Sequence, residues 1–398
     1  MEEKPLKIAI IGAGIGGLSL AIALKLKGNA VTVFEKTRTI GVGGAGIQLS
    51  SNGVKVLRLL GLEREVELRA TIPESILLRD AISDRQVGLI PLGRIAEKRY
   101  GAHFFQVHRA DLIEILFKKA QELNVEVRME SEGRAKRLKD QLSIISNRDE
   151  KFFDLIIGAD GIHSQTRKEF FQAESPKFLG QVVYRSTVPM LDLPSSFSKR
   201  AVQVFLGAGS HVVSYPLVYR GLVNFVFCRS EKTWEEKSWW CKSDNSELSE
   251  YFSSFNSINP ILKKVKSVTK WGMLGYESSN KWASGSMVLI GDASHPMLPF
   301  LAQGGNQALE DALALATFLS RFSSYELSEK IEKFVQNRIN RVSKVQKASR
   351  RNAWAYHISN PALRSAAHLG LSFLSGSMPN YLLSRFDWLY GYELDKEF

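Results

Sequence analysis

The fold of this chain is decided by the stretch Lys7-Ile-Ala-Ile-Ile-Gly12-Ala-Gly14-Ile-Gly-Gly17. Its first five residues have the continuous apolar character of a buried parallel strand. A helix is predicted over Ile15–Lys27, with Gly28 as its C-terminal stop. Val31–Phe34 predicts the next strand. The sequence therefore predicts a βαβ unit at the start of the chain.

Within this unit, residues 12–17 match the pattern G-x-G-x-x-G between a strand and a helix, which is typical of dinucleotide-binding folds. Gly12 would make the tight turn, and Gly14 would let the backbone approach a pyrophosphate at the helix N-terminus. Gly17 would allow close packing of helix on strand. Ala13 and Ile15 lie in the same loop, so they belong to the predicted site.

Glu35 ends the second strand, 23 residues after Gly12, and Lys36 follows it. A carboxylate there can accept hydrogen bonds from ribose hydroxyls and repels a 2′-phosphate, so the site favours FAD or NAD over NADP. A second match, Gly41-Val-Gly43-Gly-Ala-Gly46, has no strand before it. It predicts a flexible glycine-rich loop that passes near the cofactor, with Gly46 included in the site.

Length and composition limit the class of protein. The 398 residues suggest two or three domains, or one large domain with an insertion. With 44% hydrophobic and 24% charged residues, the chain is neither collagen-like nor low-complexity. Cys228 and Cys241 are too few for a disulfide scaffold and lack partners at metal-ligand spacing. We therefore expect free thiols in a reducing cytoplasm and no metal site.

The net charge of +12 favours anionic partners. The densest basic stretch repeats every third residue, in Arg338, Arg341, Lys344, Lys347 and Arg350. On a helix each step of three falls short of a full turn, so this stripe winds around the surface and forms no flat basic face. It predicts a solvated helix, and no nucleic-acid binding is expected.

Two uncharged segments imitate membrane signals. Ile8–Leu24 resembles the core of a signal peptide, but the dinucleotide loop explains its glycines better. Ser365–Ser384 contains His368 and several helix-breaking residues, and is too polar and interrupted to span a bilayer. Peripheral membrane contact of this segment stays open but is not favoured.

The remaining patterns predict an α/β fold. Phe153–Ile157 and Met287–Ile290 read as further buried strands, while residues 182–273 read as an antiparallel sheet followed by a helical C-terminal tail. Because a sheet-rich segment separates the buried strands, the nucleotide domain should be discontinuous. The predicted units are residues 1–75 with 100–180 and 275–325 for the Rossmann-like domain, 76–99 with 181–274 for the β-sheet substrate domain, and 326–398 for the helical C-terminal region.

Later motifs choose between NAD and FAD. Asp154-Leu-Ile-Ile-Gly-Ala-Asp160-Gly161-Ile-His-Ser164-Gln-Thr-Arg167 resembles the Asp-Gly motif of class A flavoprotein monooxygenases, the para-hydroxybenzoate hydroxylase superfamily. Residues 287–299, with Gly291 and Asp292, resemble the Gly-Asp motif of that superfamily, and residues 302–312 complete it. Val107-His-Arg109-Ala-Asp-Leu112 fits a third element in the same order.

The resemblance implies bound FAD. Asp292 would face the ribityl hydroxyls, and the helix opened by Gly304, Gly305 and Asn306 would turn its positive end toward the flavin. Asp160 and Arg167 would tie strand and helix together near the cofactor. The predicted cofactor-binding residues are Gly12, Ala13, Gly14, Ile15, Gly17, Glu35, Lys36, Gly46, Arg109, Asp160, Gly291, Asp292, Gly304, Gly305 and Asn306.

Shorter matches at Tyr184–Pro189, Phe205–Pro216 and Phe386–Tyr392 are similar to the salicylate-hydroxylase-like group. The resemblance then implies a single-component enzyme that uses NADH or NADPH and O2 to hydroxylate a phenolic-acid-like aromatic substrate through a flavin C4a-hydroperoxide. Oligomeric state is left open. Two alternatives stay open as well: oxidation of a lipid or isoprenoid on the same scaffold, and a non-enzymatic FAD protein that senses redox state or docks a partner.

Two candidate catalytic residues follow. His211 should lie where the sheet covers the flavin, on the same side of its strand as Tyr215, and an imidazole of near-neutral pKa could deprotonate a phenol. The alternative is a structural histidine bonded to a strand backbone. Pro299 lies in the apolar run Met297–Ala302, which is either a pocket wall or core packing. Arg185 and Arg220 are the candidates for a substrate carboxylate.

Overall fold

The computed structural model describes residues 5–41, 44–139, 141–147, 149–171, 175–276, 281–321 and 326–394. Within these residues the strands are, in chain order, β1 (Lys7–Ile11), β2 (Ala30–Phe34), β3 (Gly46–Leu49), β4 (Ser75–Asp80), β5 (Gln86–Pro91), β6 (Phe105–His108), β7 (Glu126–Arg128), β8 (Arg134–Leu138), β9 (Gln141–Ser146), β10 (Asp149–Phe153), β11 (Leu155–Gly158), β12 (Lys177–Pro189), β13 (Ala201–Leu206), β14 (Ser210–Leu217), β15 (Leu222–Ser230), β16 (Trp240–Ser243), β17 (Val268–Gly275) and β18 (Met287–Leu289). The helices are α1 (Ile15–Leu26), α2 (Ser51–Leu59), α3 (Glu63–Arg69), α4 (Gly93–Tyr100), α5 (Arg109–Glu122), α6 (Gln165–Phe171), α7 (Asn245–Phe252), α8 (Asn259–Leu262), α9 (Gly304–Arg321), α10 (Leu327–Tyr356), α11 (Pro361–Ser377), α12 (Pro379–Ser384) and α13 (Asp387–Tyr390).

The first sheet carries the predicted βαβ unit. Its five strands run in the order β18-β11-β1-β2-β7, and all four pairings are parallel. Ile8 and Ile10 of β1 are fully buried, and α1 and α9 pack on the sheet with their apolar residues in the same core. Strands covered on both faces are continuously apolar, and this is why β1 and β18 could be found from sequence. The predicted α/β class is confirmed.

The second sheet is larger and stands beside the first. Its eight strands run in the order β16-β17-β12-β15-β14-β13-β4-β5. Most neighbours are antiparallel, as predicted, but β13 and β4 pair in parallel. The two strands lie far apart in the chain, so no hairpin imposes an antiparallel direction on them.

Two local predictions were wrong. The single strand predicted over Phe153–Ile157 is split between β10 and β11 at Asp154, whose carboxylate accepts the Lys7 backbone N–H at 2.7 Å. The glycine-rich segment predicted as a loop enters a strand at Gly46, because β3 pairs antiparallel with β6. Residues 42 and 43 of that segment lie outside the described residues.

The start of the basic stripe on α10 is buried, not solvated. Arg338 is fully buried, and its guanidinium reaches Asp311 Oδ1 at 2.8 Å and Glu310 Oε2 at 2.7 Å on α9. Arg341 also pairs with Glu310. The stripe does wind around the helix, but its first turn faces the acidic side of α9. The first arginine of the stripe, which was predicted to be solvated, therefore lies in the core.

The helices α11 and α12 pack on the second sheet, whereas α13 contacts α2. His368 of α11 lies 3.2 Å from Asp80 at the end of β4, and Ser375 Oγ accepts the Leu89 backbone N–H of β5 at 2.8 Å. Among the described residues, no helix combines the length and apolar character needed to cross a membrane.

Candidate active site

The loop between β1 and α1 has the geometry that an anionic dinucleotide needs. Gly12 has φ of +106°, and a Cβ there would lie 2.5 Å from the Ala159 carbonyl oxygen. A Cβ at Gly17 would lie 2.0 Å from the Gly12 carbonyl oxygen, so glycine is required for helix and strand to pack. Gly14 is the N-cap without a side-chain cap, and a Cβ there would meet nothing within 4 Å. The first amides of α1, at Ile15 and beyond, therefore face open space, ready for a phosphate.

Glu35 closes the same loop from the end of β2. Its Oε2 accepts the Ala13 backbone N–H at 2.9 Å, and its Oε1 accepts from the backbone and hydroxyl of Thr37. Oε2 accepts only this one hydrogen bond among the described residues, so it keeps a second lone pair for a ribose hydroxyl. Lys36, the next residue, is exposed.

Asp292 and Arg109 mark a cleft between the two sheets. Both side chains are accessible to solvent, yet protein surrounds them closely enough that burial raises the pKa of Asp292 and lowers that of Arg109. Side chains that are enclosed and still solvent-accessible line the wall of a cleft. Asp292 follows β18 after Gly291, and the two groups act on each other electrostatically, as does Arg185 from the second sheet.

The N-terminus of α9 opens beside Asp292. A Cβ at Gly304 would lie 4.0 Å from Asp292 Oδ1, and Gly305 packs on Ile47 of β3. Asn306 is fully buried and holds the turn after β3: its Oδ1 accepts the Ser50 N–H at 3.1 Å, and its Nδ2 donates to the Gln48 and Ala302 carbonyls. The positive end of this helix therefore lies at the cleft without an acidic residue in its first turn.

One face of the second sheet provides the opposite wall. Residues directly opposite on neighbouring strands share a face, so the pairings group the side chains in three rows. The rows are Tyr215 with Asn224 and Thr187, then Val213 with Val226 and Arg185, then His211 with Cys228 and Val183. The predicted common side for His211 and Tyr215 follows from this pairing, and Arg185 lies in the row between them.

Polar atoms on this wall are left without partners. Arg185 Nε and Asn224 Nδ2 are buried and have no hydrogen-bond partner within the described residues. The other end of the Asn224 amide accepts the Gly46 N–H at 2.7 Å and so ties β3 to the wall. Buried donors are almost always satisfied in native proteins, so these atoms indicate a bound ligand with acceptor groups.

Arg220, the other candidate for a carboxylate, does not face the cleft. Its guanidinium forms a bidentate pair with Asp111 of α5, at 2.6 and 3.0 Å. A buried carboxylate on the nucleotide side already holds Arg220, which makes it the weaker of the two candidates for a substrate carboxylate.

His211 is more deeply enclosed than the sequence suggested. It is 1% exposed, and its Nδ1 lies 2.7 Å from Nε2 of His357. Burial, and then His357, lower the pKa of His211 well below its ordinary value. The predicted near-neutral pKa was therefore wrong. The alternative of a backbone-bonded histidine is also wrong, since the partner is a side chain. Sequence analysis did not find His357, because a contact across 146 residues leaves no local signal.

The apolar run that holds Pro299 forms a short wall beside His211. The Phe300 ring lies 5.2 Å from the His211 ring. Pro299 begins a 3₁₀ turn and is half-buried. Carbonyl oxygens of residues 296–300 accept hydrogen bonds from α10, through Gln346, Ser349 and Asn352.

The Asp-Gly motif is used mainly to build α6. The Asp160 carboxylate accepts from the Ser164 hydroxyl and from the backbone and hydroxyl of Thr166. Arg167 is buried and donates to the carbonyls of Ala293 and Ser294, so it braces the turn after Asp292. The predicted contact of Asp160 with the cofactor stays a prediction.

Comparison with known sequences now identifies the scaffold. A family described as "FAD binding domain" matches residues 5–349. The chain belongs to this family. The residues of the cleft fit the cofactor, through the open helix N-termini, the exposed Asp292 and the glycines that allow close approach.

Relatives from this FAD-binding family cover nearly the whole chain. A 3-amino-4-hydroxybenzoate 2-monooxygenase of Streptomyces platensis is 32% identical over 97% of this chain and 96% of its own length. A 3-hydroxybenzoate 6-hydroxylase of Polaromonas naphthalenivorans is 29% identical over 99% of this chain and 98% of its own. A solved salicylate hydroxylase with substrate has a TM-score of 0.82 at 25% identity, covering 99% of this chain and 97% of that one. The predicted FAD-dependent monooxygenase class is confirmed.

In this monooxygenase, Asp292→Ala is expected to weaken FAD binding by about 1–3 kcal/mol, the range for a lost hydrogen bond to a charged group. A less firmly held flavin should also release more H2O2 per NAD(P)H consumed. Equilibrium titration of the apoprotein with FAD and peroxide assay during turnover measure the two effects. Asp192→Ala, at an exposed carboxylate of the second-sheet half, is the control. Normal affinity together with normal coupling in Asp292→Ala would contradict contact with the cofactor.

Proposed function

We propose that the chain hydroxylates a monocyclic aromatic acid that carries a ring hydroxyl, with bound FAD and with NADH or NADPH and O2 as co-substrates. The observation that carries this proposal is Arg185, whose unpartnered Nε lies on the wall between His211 and Tyr215. A guanidinium pairs well with a carboxylate. The names of the relatives, hydroxybenzoate and hydroxynicotinate monooxygenases, describe substrates with both an acid group and a ring hydroxyl.

The residues divide into two proposed roles. The cofactor side consists of Gly12, Ala13, Gly14, Ile15, Gly17, Glu35, Lys36, Gly46, Arg109, Asp160, Gly291, Asp292, Gly304, Gly305 and Asn306. When bound, FAD would supply the reduction of O2 and the transfer of one oxygen atom. On the substrate side, Arg185 would bind the carboxylate, His211 would take the phenolic proton, and the run around Pro299 would exclude water. The discontinuous domains and the cytoplasmic location are part of the same proposal.

An uncharged lipid or isoprenoid substrate would leave the buried Nε donor of Arg185 without an acceptor, which disfavours the first alternative. A protein that only binds FAD would show no turnover with any small molecule. Both alternatives are tested by the same assay. The purified flavoprotein is screened with hydroxybenzoates, hydroxynicotinates and neutral phenols for NAD(P)H consumption, and products are analysed for one added oxygen atom. Hydroxylation of the acids supports the proposal, and turnover only with alkenes, or no turnover, overturns it.

Arg185→Met provides the sharper test of the acid specificity. Losing a hydrogen-bonded charge partner should raise KM for the acid by about 10-fold to 100-fold. The carboxamide of the same substrate lacks the charge, so its KM should change little. FAD affinity is measured in parallel. If FAD affinity falls while the KM values for the acid and the carboxamide change by the same factor, Arg185 contacts the cofactor and the assignment to the carboxylate is wrong.

A further inference from the structure

A continuous line of hydrogen bonds leads from the proposed base to the protein surface. His211 Nδ1 lies 2.7 Å from His357 Nε2, and His357 Nδ1 lies 2.8 Å from Ser230 Oγ. Ser230 is the last residue of β15 and is exposed to solvent. His211 is buried at the other end, and no group among the described residues forms a hydrogen bond with its Nε2. The line therefore has one free nitrogen inside and one hydroxyl outside.

The middle of the line is held from several sides. His357 is the C-cap of α10, and its backbone N–H donates to the Trp354 carbonyl. The Phe300 ring lies 5.7 Å from the His357 ring and 5.2 Å from that of His211. Tyr356 packs edge-on against His211 at 5.2 Å. The two imidazoles are thus fixed in hydrogen-bonding distance by aromatic packing, and a fixed distance is what proton transfer requires.

The surroundings keep both rings neutral. Burial lowers the pKa of His357 to about 4. Burial, and then His357, hold the pKa of His211 well below its ordinary value. The titratable groups that face the pair are Tyr356 from α10 and Cys228 from β15, and burial raises the pKa of each to about 12. Arg185 of β12 is the charged neighbour that acts on Cys228. Within the described chain, no carboxylate acts on either imidazole.

A neutral, buried base faces a difficulty at this site. If His211 took a phenolic proton and kept it, an imidazolium would be formed in an enclosed, apolar position without a counterion, which is unfavourable. In the part of the chain that the structure describes, the hydrogen-bond partner of its ring is another imidazole. A base in this setting works best when each proton that it gains on one nitrogen leaves from the other.

We propose that His357 and Ser230 form a proton relay that carries the phenolic proton from His211 to solvent, and this proposal rests on the aromatic hydroxylation proposed above. In the starting arrangement, His211 Nδ1–H donates to His357 Nε2, and His357 Nδ1–H donates to Ser230 Oγ. The phenolic O–H bond breaks as His211 Nε2–H forms. His211 Nδ1–H then breaks as His357 Nε2–H forms, and His357 Nδ1–H breaks as Ser230 receives a proton and its hydroxyl releases one to water.

The net result is one proton moved from the phenol to solvent. No redox change occurs, and both imidazoles end neutral in the opposite tautomer. Substrate is left as the phenolate, which is the more nucleophilic ring. His357 is in this scheme a positioning residue that acts through His211, and it comes from the helical C-terminal region, not from the sheet.

The test uses the full-length holoenzyme with a substrate found in the screen. In His357→Gln, an amide can still hold His211 but cannot pass a proton between two nitrogens. We expect oxygen transfer to slow by at least about 10-fold, which corresponds to losing nine-tenths or more of the rate gained from the general base. Anaerobic flavin reduction and FAD affinity should stay unchanged. Deprotonation of a bound nitrophenol analogue after a jump to higher pH, followed by phenolate absorbance, should become slower by a similar factor. In His357→Ala, added imidazole should restore part of the rate.

Ser359→Ala is the matched control, because its hydroxyl donates to the His357 backbone carbonyl and lies outside the relay. It should behave as wild type in every assay. A His357→Gln enzyme with wild-type rates of oxygen transfer and of nitrophenol deprotonation overturns the relay. Equal slowing of both half-reactions also overturns it, since that indicates a structural role. By contrast, a wild-type protein that hydroxylates no aromatic acid overturns the proposed function itself.

Discussion

Replacing Arg338 by methionine is expected to lower the free energy of unfolding by about 3–5 kcal/mol, the range for breaking a buried ion pair from one side. Arg338 is fully buried between α9 and α10 and bonds to Asp311, Glu310 and the Gln307 side chain. Methionine fills much of the volume of the arginine, but the buried carboxylates of Asp311 and Glu310 lose one positively charged partner. The loss comes from those stranded charges and not from a cavity.

The size of this loss should depend on pH. Burial alone would raise the pKa of Asp311, but His295 and Arg338 outweigh it and hold the pKa well below its ordinary value. A carboxyl group of this kind stabilises the fold above its unfolded-state pKa of about 4, and the stabilisation disappears as pH falls through the folded-state value. Without Arg338 the folded-state pKa rises. The deficit of the variant should therefore be largest at neutral pH and shrink below about pH 4.

Urea unfolding of wild type and Arg338→Met, at neutral pH and below about pH 4, measures the loss of stability and its dependence on pH. Arg350→Met, at an exposed arginine of the same helix, controls for the loss of one positive charge on α10. It should change stability by less than about 0.5 kcal/mol. A deficit for Arg338→Met no larger than that of the control would show that the buried carboxylates find other partners.

His211→Ala is expected to slow the oxygen-transfer half-reaction by about 10²-fold, the low end for removing a general base. The imidazole lies on the sheet face that carries Arg185 and Tyr215, and its Nε2 is the nitrogen not used by His357. Alanine removes the acceptor for the phenolic proton. Because burial keeps His211 neutral, the wild-type rate should show no loss from imidazole protonation across the neutral pH range.

Stopped-flow kinetics with the two half-reactions run separately checks this prediction. Flavin reduction by NAD(P)H under anaerobic conditions serves as the internal control and should change little. A substrate supplied at a pH above its own phenol pKa needs no base, so the variant should approach wild type there. Slowing confined to reduction would mean that His211 supports the cofactor and that the base lies elsewhere.

The fold and most of the cofactor side could be predicted from sequence because their signals are local. Gly12, Gly14 and Gly17 are separated by fixed short intervals, and β1 and β18 are continuous apolar runs. Glu35 follows from the same unit by counting. Such patterns arise within a single turn or strand, so no knowledge of distant contacts is needed.

The parts that sequence could not supply depend on distant contacts. Arg338 looks like any surface arginine until α9 is seen to place Glu310 and Asp311 against it. His357 has no motif, and its role depends on the end of a 30-residue helix meeting β14. Arg220 and Arg185 were equal candidates in sequence, and only the contact with Asp111 separates them. The sequence shows which residue types are available, whereas the contacts that each side chain makes in the fold determine its role.

The length of α10 has a consequence for how members of this family diverge. The helix extends about 45 Å at 1.5 Å per residue. Arg338 with its ion pairs lies about 28 Å along this axis from His357 at the substrate wall. The family match ends at residue 349, eight residues before His357. One rigid helix therefore joins the part of the chain that the family match covers to His357, which lies beyond it. Exchanging the chain after residue 349 between two members of the family should transfer the pH response of the substrate side and leave FAD binding unchanged.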